Sequence, residues 1–238
     1  KEQIGDGRTL LDHYWEVEEP FGRVLYNMER RGVMVDLDYL ERIAPGIEKR
    51  IDQLGREFNH QAGSPIKLGS PKQLGELFFN TLGVMPTKYG KPSSKTGEVS
   101  PSVDKEVIGA WAEGDITFWD GENEVDMDEE SYRLVQDLAS GLSEHRKLSK
   151  FLGTYVYGMS EWIDGNFRIH TKINQHVAVT GRISSSDPNL TNIPRRNNDK
   201  FKVRDAFIAD GGKILFVADY AQIEMRLMAH LSGDPTMI

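Results

Sequence analysis

Apolar residues recur at intervals of three and four along most of the first 160 positions, and this spacing predicts amphipathic helices. One helix is predicted over residues 18–31 and ends at Gly32, and residues 33–35 form a short β-like run. Asp36 is a good N-cap for a second helix, in which a kink or restart is expected at Pro45. The chain therefore opens with two helices joined by a short extended piece.

A third helix is predicted to begin at the sequence SPKQ, residues 70–73, and to end at Gly83. This start offers a cap, a first-turn proline and a capping-box glutamine. Residues 85–102 are rich in Gly, Pro, Ser and Lys, which predicts an exposed loop or ribbon. The longest helical pattern covers residues 135–162, a rod of about 45 Å at 1.5 Å per residue.

The pattern changes after residue 166. Short β-like pieces come first, followed by a turn-rich segment at 184–196. An apolar strand is then predicted from Lys213 to Asp219, leading into a helix over residues 222–231. The predicted fold class is α+β, with a helical first two-thirds.

The composition narrows the classes of function. The 238 residues are 38% apolar and 28% charged, as in a soluble globular protein. No cysteine is present, which excludes disulfides, thiolate zinc sites and thiol catalysis. No stretch approaches the roughly 20 apolar residues of a membrane helix, and no signal peptide opens the chain, so we expect no membrane partner.

Charge is distributed unevenly. The net charge is −8, but residues 1–130 carry −11 and residues 131–238 carry +3. Phosphate attraction is screened within about 10 Å, so the local balance matters more than the sum. Residues 106–130 hold ten carboxylates and no Lys or Arg, which favours a solvated loop, since the block lacks full calcium-loop spacing.

The strongest signal begins at Asp219. A carboxylate between an apolar strand and a helix is well placed to bind a divalent cation on phosphate oxygens. The sequence ADYAQIEMRLMAHLSGD, residues 218–234, closely resembles motif A of the DNA polymerase I class, the family A DNA polymerases. Three more stretches resemble parts of the same family in the same order: SPKQLGELFF at 70–79, HRKLSKFLGTY at 145–155 and HTKINQHVAVTGRISSSDPNLTNIPRR at 170–196.

The resemblance covers most of residues 18–238. It implies a lead-in at residues 1–17, a helical thumb at 18–165 and the first part of the palm at 166–238. The pattern departs from the family mainly at residues 106–130, which look like an insertion into the thumb.

The resemblance also implies roles near motif A. Asp219 resembles the first of two carboxylates that bind two catalytic Mg²⁺ ions, and Tyr220 would offer its main-chain carbonyl to one of them. Glu224 resembles the residue that blocks the ribose 2′-hydroxyl and so selects deoxynucleotides, with an ordinary helix-start acid as the alternative. Gln222 and Ile223 would shape the floor of the nucleotide site.

Other positions match residues that hold the duplex. Arg182 and Arg204 match arginines near the primer terminus, where minor-groove acceptors shared by all base pairs report pairing geometry. Arg146 and Lys150 match thumb residues that grip the backbone through salt-dependent contacts, the alternative being a solvated helix face. The remaining candidate DNA-binding residues are Thr154, Asn174, Gln175, Ser184 and Asn192.

Two parts of the family pattern are missing. Two-metal phosphoryl transfer needs a second carboxylate and a cationic clamp for the triphosphate, and no His-Asp-Glu triplet occurs. A spacing like that of the fingers motif, from Arg146 to Gly158, is one residue short and precedes Asp219, which favours coincidence.

We therefore expect a chain that does not polymerise DNA alone. Its expected partners are primer-template DNA, deoxynucleoside triphosphates and a complementary polypeptide with fingers and remaining palm, in a bacterial or phage-infected host cytoplasm. The alternative is a non-catalytic DNA-binding or interaction module. A single-subunit RNA polymerase is disfavoured by Glu224.

Overall fold

The computed structural model describes residues 7–92, 97–193 and 201–238. Its helices are α1 (Leu10–His13), α2 (Glu19–Arg31), α3 (Leu37–Gln61), α4 (Pro71–Gly75), α5 (Lys105–Ala112), α6 (Glu129–Phe151), α7 (Gly158–Ser160) and α8 (Ile223–Ser232). Helices α1, α4 and α6 continue into π-helical turns at Tyr14–Glu18, Glu76–Thr81 and Leu152–Tyr157, and a 3-10 turn spans Val203–Ala206. The strands are β1 (Val33–Val35), β2 (Phe118–Trp119), β3 (Glu124–Val125), β4 (Arg168–Ile169), β5 (Lys172–Asn174), β6 (Ser184–Ser186) and β7 (Phe207–Ile208).

Side-chain caps fix the helix starts that the sequence predicts. The Asp36 carboxylate accepts the N–H of Tyr39 at 2.9 Å and opens α3. Ser70 caps α4 by accepting the N–H of Gln73 at 3.4 Å. The predicted capping box is only half formed, because the Gln73 side chain accepts the N–H of Lys67 at 2.7 Å instead.

The two longest helices are uninterrupted. α3 passes through Pro45 without the predicted restart, since the buried side chains of Ala44 and Ile47 on either side anchor it to the core. α6, its π-helical turn and α7 together form one rod over Glu129–Ser160, which confirms the long helix. Gly32 ends α2 at a φ of 62°, as predicted.

α3 and α6 pack side by side and share two apolar cores. Arg50 donates to both oxygens of Glu144, at 3.0 and 2.8 Å, and Tyr157 donates to Glu48 at 2.6 Å. The distal core, with α4, α5 and β2, includes Phe58, Leu74, Phe78, Trp111, Phe118, Leu138 and Leu142. The basal core includes Val35, Leu40, Ile47, Val156, Met159, Ile169 and Val203.

In the described residues, three small antiparallel sheets complete an α+β fold, as predicted. β1 is the middle strand between β4 and β7, with Val33 opposite Ile169 and Met34 opposite Ile208. β2 pairs with β3, and β5 pairs with β6. The β1 sheet joins the first and last parts of the chain, and the thumb–palm boundary at residue 165 stays a prediction.

The acidic block at 106–130 is not the solvated loop that its charge favours. It contains most of α5, the β2–β3 hairpin and the start of α6, and Trp111 is only 1% exposed. Its carboxylates lie on the outer surface, while Ile108 and Phe118 point into the distal core. The block therefore combines acidic residues on its surface with buried apolar residues at helical and strand spacing.

Residues 213–219 do not form the predicted strand. The segment is exposed along its whole length, and Phe216 is 86% exposed. Within the part of the chain that the structure describes, no strand lies beside it, and a strand depends on neighbours for its backbone hydrogen bonds. The predicted helix after it is present as α8.

The predicted ribbon at residues 85–102 is present. The N–H of Gly90 donates to the Ser100 carbonyl at 2.9 Å, and the N–H of Ser102 donates to the Lys88 carbonyl at 2.8 Å. Residues 93–96 at its tip lie outside the described residues. None of the described helices has the length and apolar character needed to cross a bilayer.

Candidate active site and nucleic-acid interface

The segment that follows Asp219 is an exposed turn leading into α8. Asp219 is exposed and Tyr220 is 81% exposed. Gln222 precedes the helix in the left-handed conformation, with a φ of 52°. Arg226 closes the turn with two hydrogen bonds. Its side-chain Nε donates to the Ala221 carbonyl at 3.0 Å, and its main-chain N–H donates to the Gln222 carbonyl at 3.1 Å. The predicted catalytic carboxylate is therefore accessible from solvent.

An ion pair links α8 to the connection between β5 and β6. Ile223 and Glu224 form the first turn of α8, and the Glu224 carboxylate pairs with Arg182, 42 positions earlier. The two side chains are 66% and 73% exposed, respectively. This contact joins a predicted duplex-binding arginine to the predicted nucleotide-selecting glutamate.

The β5–β6 hairpin brings two more predicted residues together. Asn174 lies opposite Ser184 in the antiparallel register. The Asn174 amide donates to the Ser186 hydroxyl at 3.2 Å, which fixes the orientation of its side chain. Both predicted residues are half-buried at the same end of the hairpin.

A buried serine organises the turn after β6. The hydroxyl of Ser185 accepts the N–H groups of Leu190 and Thr191 at 2.9 and 3.0 Å. The main-chain carbonyl of Asn192 accepts the Tyr155 hydroxyl at 2.6 Å, which ties this turn to the long helix. The Asn192 side chain is exposed, and residues 194–196 of the same motif lie outside the described residues.

Gln175 and Arg204 are both held by other parts of the chain. The Gln175 amide nitrogen donates to the Glu18 carbonyl at 3.2 Å and also bonds the Glu18 carboxylate. Arg204 donates from Nη2 to the Ile193 carbonyl at 2.9 Å. These contacts connect the candidate duplex side to the π-helical turn before α2 and to the turn after β6.

The two predicted cations of the long helix differ in exposure. Lys150 is exposed, as is Thr154. Arg146 is half-buried, and its Nη1 donates to the Val103 carbonyl at 2.6 Å. Burial lowers the pKa of Arg146, an effect that the nearby Asp104 carboxylate opposes. Arg146 thus braces the base of the ribbon, whereas Lys150 faces solvent.

A polar network that sequence reasoning missed surrounds β4. The Asp164 carboxylate accepts the N–H of Arg168 at 2.9 Å and contacts His170 Nε2 at 3.2 Å. Arg168 pairs with Asp210, and the other ring nitrogen of His170 lies 2.8 Å from the Glu29 carbonyl. Hydrogen bonds from main-chain N–H groups, that of Arg168 first, lower the pKa of Asp164. Asp210 and Glu29 lie 42 and 141 positions from their partners, and contacts so distant leave no local pattern.

Asp219 is the residue predicted to bind Mg²⁺. Its exposed carboxylate is a hard ligand of the kind that Mg²⁺ prefers. Across residues 7–92, 97–193 and 201–238, no three His, Asp or Glu side chains gather into a metal-binding group. In this part of the chain, Asp219 is therefore not one of a group of three such side chains.

Comparison with solved structures defines the class of protein. The chain is similar to the POL domain of Pol1 from M. smegmatis, solved in complex with DNA primer-template and dNTP, with a TM-score of 0.74 and 33% sequence identity. The match covers 96% of this chain and 36% of that one. The fold is that of part of a polymerase domain.

The sequence comparisons identify the family. The model of DNA polymerase family A matches residues 37–238, and the chain belongs to that family. It is 36% identical over 239 residues to the thermostable DNA polymerase I of Thermus thermophilus, covering 100% of this chain and 26% of that protein. It is 34% identical over 231 residues to DNA polymerase I of Chloroflexus aurantiacus, covering 97% of this chain and 22% of that protein. The chain thus spans about a quarter of the length of these relatives.

Proposed function

We propose that this chain is the part of a template-directed DNA polymerase that grips the primer-template and supplies one catalytic carboxylate, Asp219. The observation that carries the proposal is the ion pair of Arg182 with Glu224, which joins the candidate duplex side to α8, the helix that follows Asp219. Membership of DNA polymerase family A and similarity to a POL domain solved with DNA and dNTP support it.

In the proposed reaction the primer 3′ hydroxyl gives its proton to water and its oxygen attacks the α-phosphorus of the incoming nucleotide, while the bond to pyrophosphate breaks and pyrophosphate leaves with the electron pair. Asp219 would hold both Mg²⁺ ions, and the main-chain carbonyl of Tyr220 would contact one of them. When bound, these ions make the primer oxygen a stronger nucleophile and offset negative charge on the phosphates.

Selection of the sugar is assigned to Glu224. Its carboxylate, held by Arg182 at the start of α8, would occupy the space that a ribose 2′-hydroxyl needs. Gln222 and Ile223 would support the nucleotide from the turn before it. This is discrimination by exclusion, which weakens when the excluding group is removed.

Grip on the duplex is assigned to the positive part of the chain. Lys150 would attract DNA phosphates whatever the base sequence. Arg146 would act indirectly, by holding the base of the ribbon through the Val103 carbonyl. Arg204 and Arg182 would contact the primer end. The other proposed contacts are Thr154, Asn174, Gln175, Ser184 and Asn192.

The second carboxylate and the cation that clamps the triphosphate are proposed to lie outside these 238 residues. They would come from a complementary polypeptide, either a second chain or a continuation of this one, with the remaining palm and the fingers. On this proposal the chain alone is inactive, and it works in a bacterial or phage-infected host cytoplasm.

The test is primer extension with the complementary polymerase segment supplied. Asp219→Ala should reduce extension by more than about a hundredfold and leave duplex affinity within about twofold, because a metal ligand acts in the transition state. Asp234→Ala, which removes an exposed carboxylate beyond α8, is the matched control and should stay near wild type. Activity of Asp219→Ala within tenfold of wild type contradicts the catalytic role.

A further inference from the structure

We infer that Glu18 is a positioning residue that orients Gln175 toward the duplex. The inference rests on the proposed function, since it concerns how one proposed DNA contact is held. Glu18 ends the π-helical turn before α2, and Gln175 follows β5, 157 positions later. The Gln175 amide nitrogen donates to the Glu18 carbonyl at 3.2 Å and bonds the Glu18 carboxylate as well.

These two contacts decide what Gln175 can offer to a ligand. A glutamine amide has two N–H donors and one carbonyl acceptor. Both partners on Glu18 are acceptors, so the nitrogen must face Glu18, and both donors are engaged there. The carbonyl oxygen lies over α2, where a Cβ at Gly22 would stand 3.5 Å from it. Gln175 therefore presents one acceptor in one orientation.

Glu18 is itself held, which makes it a fixed support. Its other carboxylate oxygen lies 3.2 Å from His13 Nε2. A second glutamate, Glu29 of α2, accepts the N–H of Ile173 at 2.5 Å. The main chain of β5 is thus held at Ile173 by α2, and the Gln175 side chain that follows β5 is held by the π-helical turn before α2. Of these two contacts, only the one from Glu18 holds a side chain that is proposed to contact DNA, that of Gln175.

The experiment is a double-mutant cycle on the whole chain, read by the fluorescence anisotropy of a labelled primer-template duplex. Glu18→Ala and Gln175→Ala should each weaken binding by about fivefold, the effect of one lost hydrogen bond. If Glu18 acts through Gln175, the double variant should bind no more weakly than Gln175→Ala alone.

Two matched variants separate positioning from charge. Glu18→Gln keeps an acceptor for the Gln175 amide and removes the charge, so it should bind within about twofold of wild type. Glu19→Ala removes the neighbouring carboxylate, which pairs with Arg23 at 2.6 Å and does not contact Gln175, and it should not weaken binding. Gln175→Met, which keeps the side-chain length, replaces Gln175→Ala if the latter fails to fold.

The outcomes distinguish the inference from the proposed function. Additive losses, or a Glu18→Ala variant that binds like wild type while Gln175→Ala binds weakly, overturn the positioning role alone. Failure of Glu18→Gln to restore binding does the same. Absence of salt-dependent duplex binding by the wild-type chain overturns the proposed grip on DNA and the inference with it.

Discussion

Glu224 and Arg182 hold one another across the gap between α8 and the β5–β6 connection. In an enzyme that contains this chain, we expect Glu224→Ala to raise ribonucleotide incorporation relative to deoxyribonucleotide by at least about tenfold, because the space for a 2′-hydroxyl opens. Single-nucleotide extension with matched nucleotide pairs measures the ratio. Glu224→Gln keeps the bulk and is the control, and an unchanged ratio in Glu224→Ala excludes the gate.

At the scale of elements, ion pairs hold the base of the ribbon at 85–102. Lys88 Nζ lies 2.7 Å from the Asp104 carboxylate and also pairs with Glu106. The hydrogen bond from Lys88 is the largest cause that lowers the pKa of Asp104 to about 2, and the two carboxylates raise the pKa of Lys88 to about 12. These ion pairs are therefore strongest near neutral pH, where Lys88 and Asp104 are both charged.

The sign of the pH dependence follows from these shifts. Because the pKa of Asp104 is lowered from 3.8, its stabilisation is present above that value and is lost as the pH falls toward 2. Because the pKa of Lys88 is raised from 10.5, its stabilisation is lost as the pH rises toward 12. We expect Lys88→Met to return the pKa of Asp104 toward 3.8 in an NMR titration, with Lys105→Met as the control. A pKa of Asp104 still near 2 in Lys88→Met contradicts the pairing.

The elements that sequence could predict are those with local causes. The starts of α3 and α4 depend on Asp36 and Ser70, whose caps bond residues three positions away. The prediction of a solvated loop at residues 106–130 was wrong because charge says nothing about Trp111, which is buried against Phe78 and Phe79 in the distal core. In the candidate site, the contacts of Arg182 and Gln175 join segments 42 and 157 positions apart, which no local pattern encodes.

At the scale of the whole molecule, residues 213–219 are an apolar segment without cover. Ile214 and Val217 are each 88% exposed, and no strand of the described chain pairs with them. We expect their amides to exchange with solvent rapidly in this chain alone and to become protected when the complementary palm segment is added, together with Mg²⁺-dependent extension. Hydrogen-exchange mass spectrometry measures this, with α6 as the internal reference. Strong protection of 213–219 before any addition contradicts the expectation.

The continuous rod from Glu129 to Ser160 also has a mechanical consequence. Its 32 residues span about 48 Å. The distal core packs against its N-terminal half, and Arg146 near its middle holds the base of the ribbon. Arg50 and Glu48 of α3 hold this rod at Glu144 and Tyr157, respectively. If the rod turned as one body about the basal core, a tilt of about 10° would move its far end by about 8 Å.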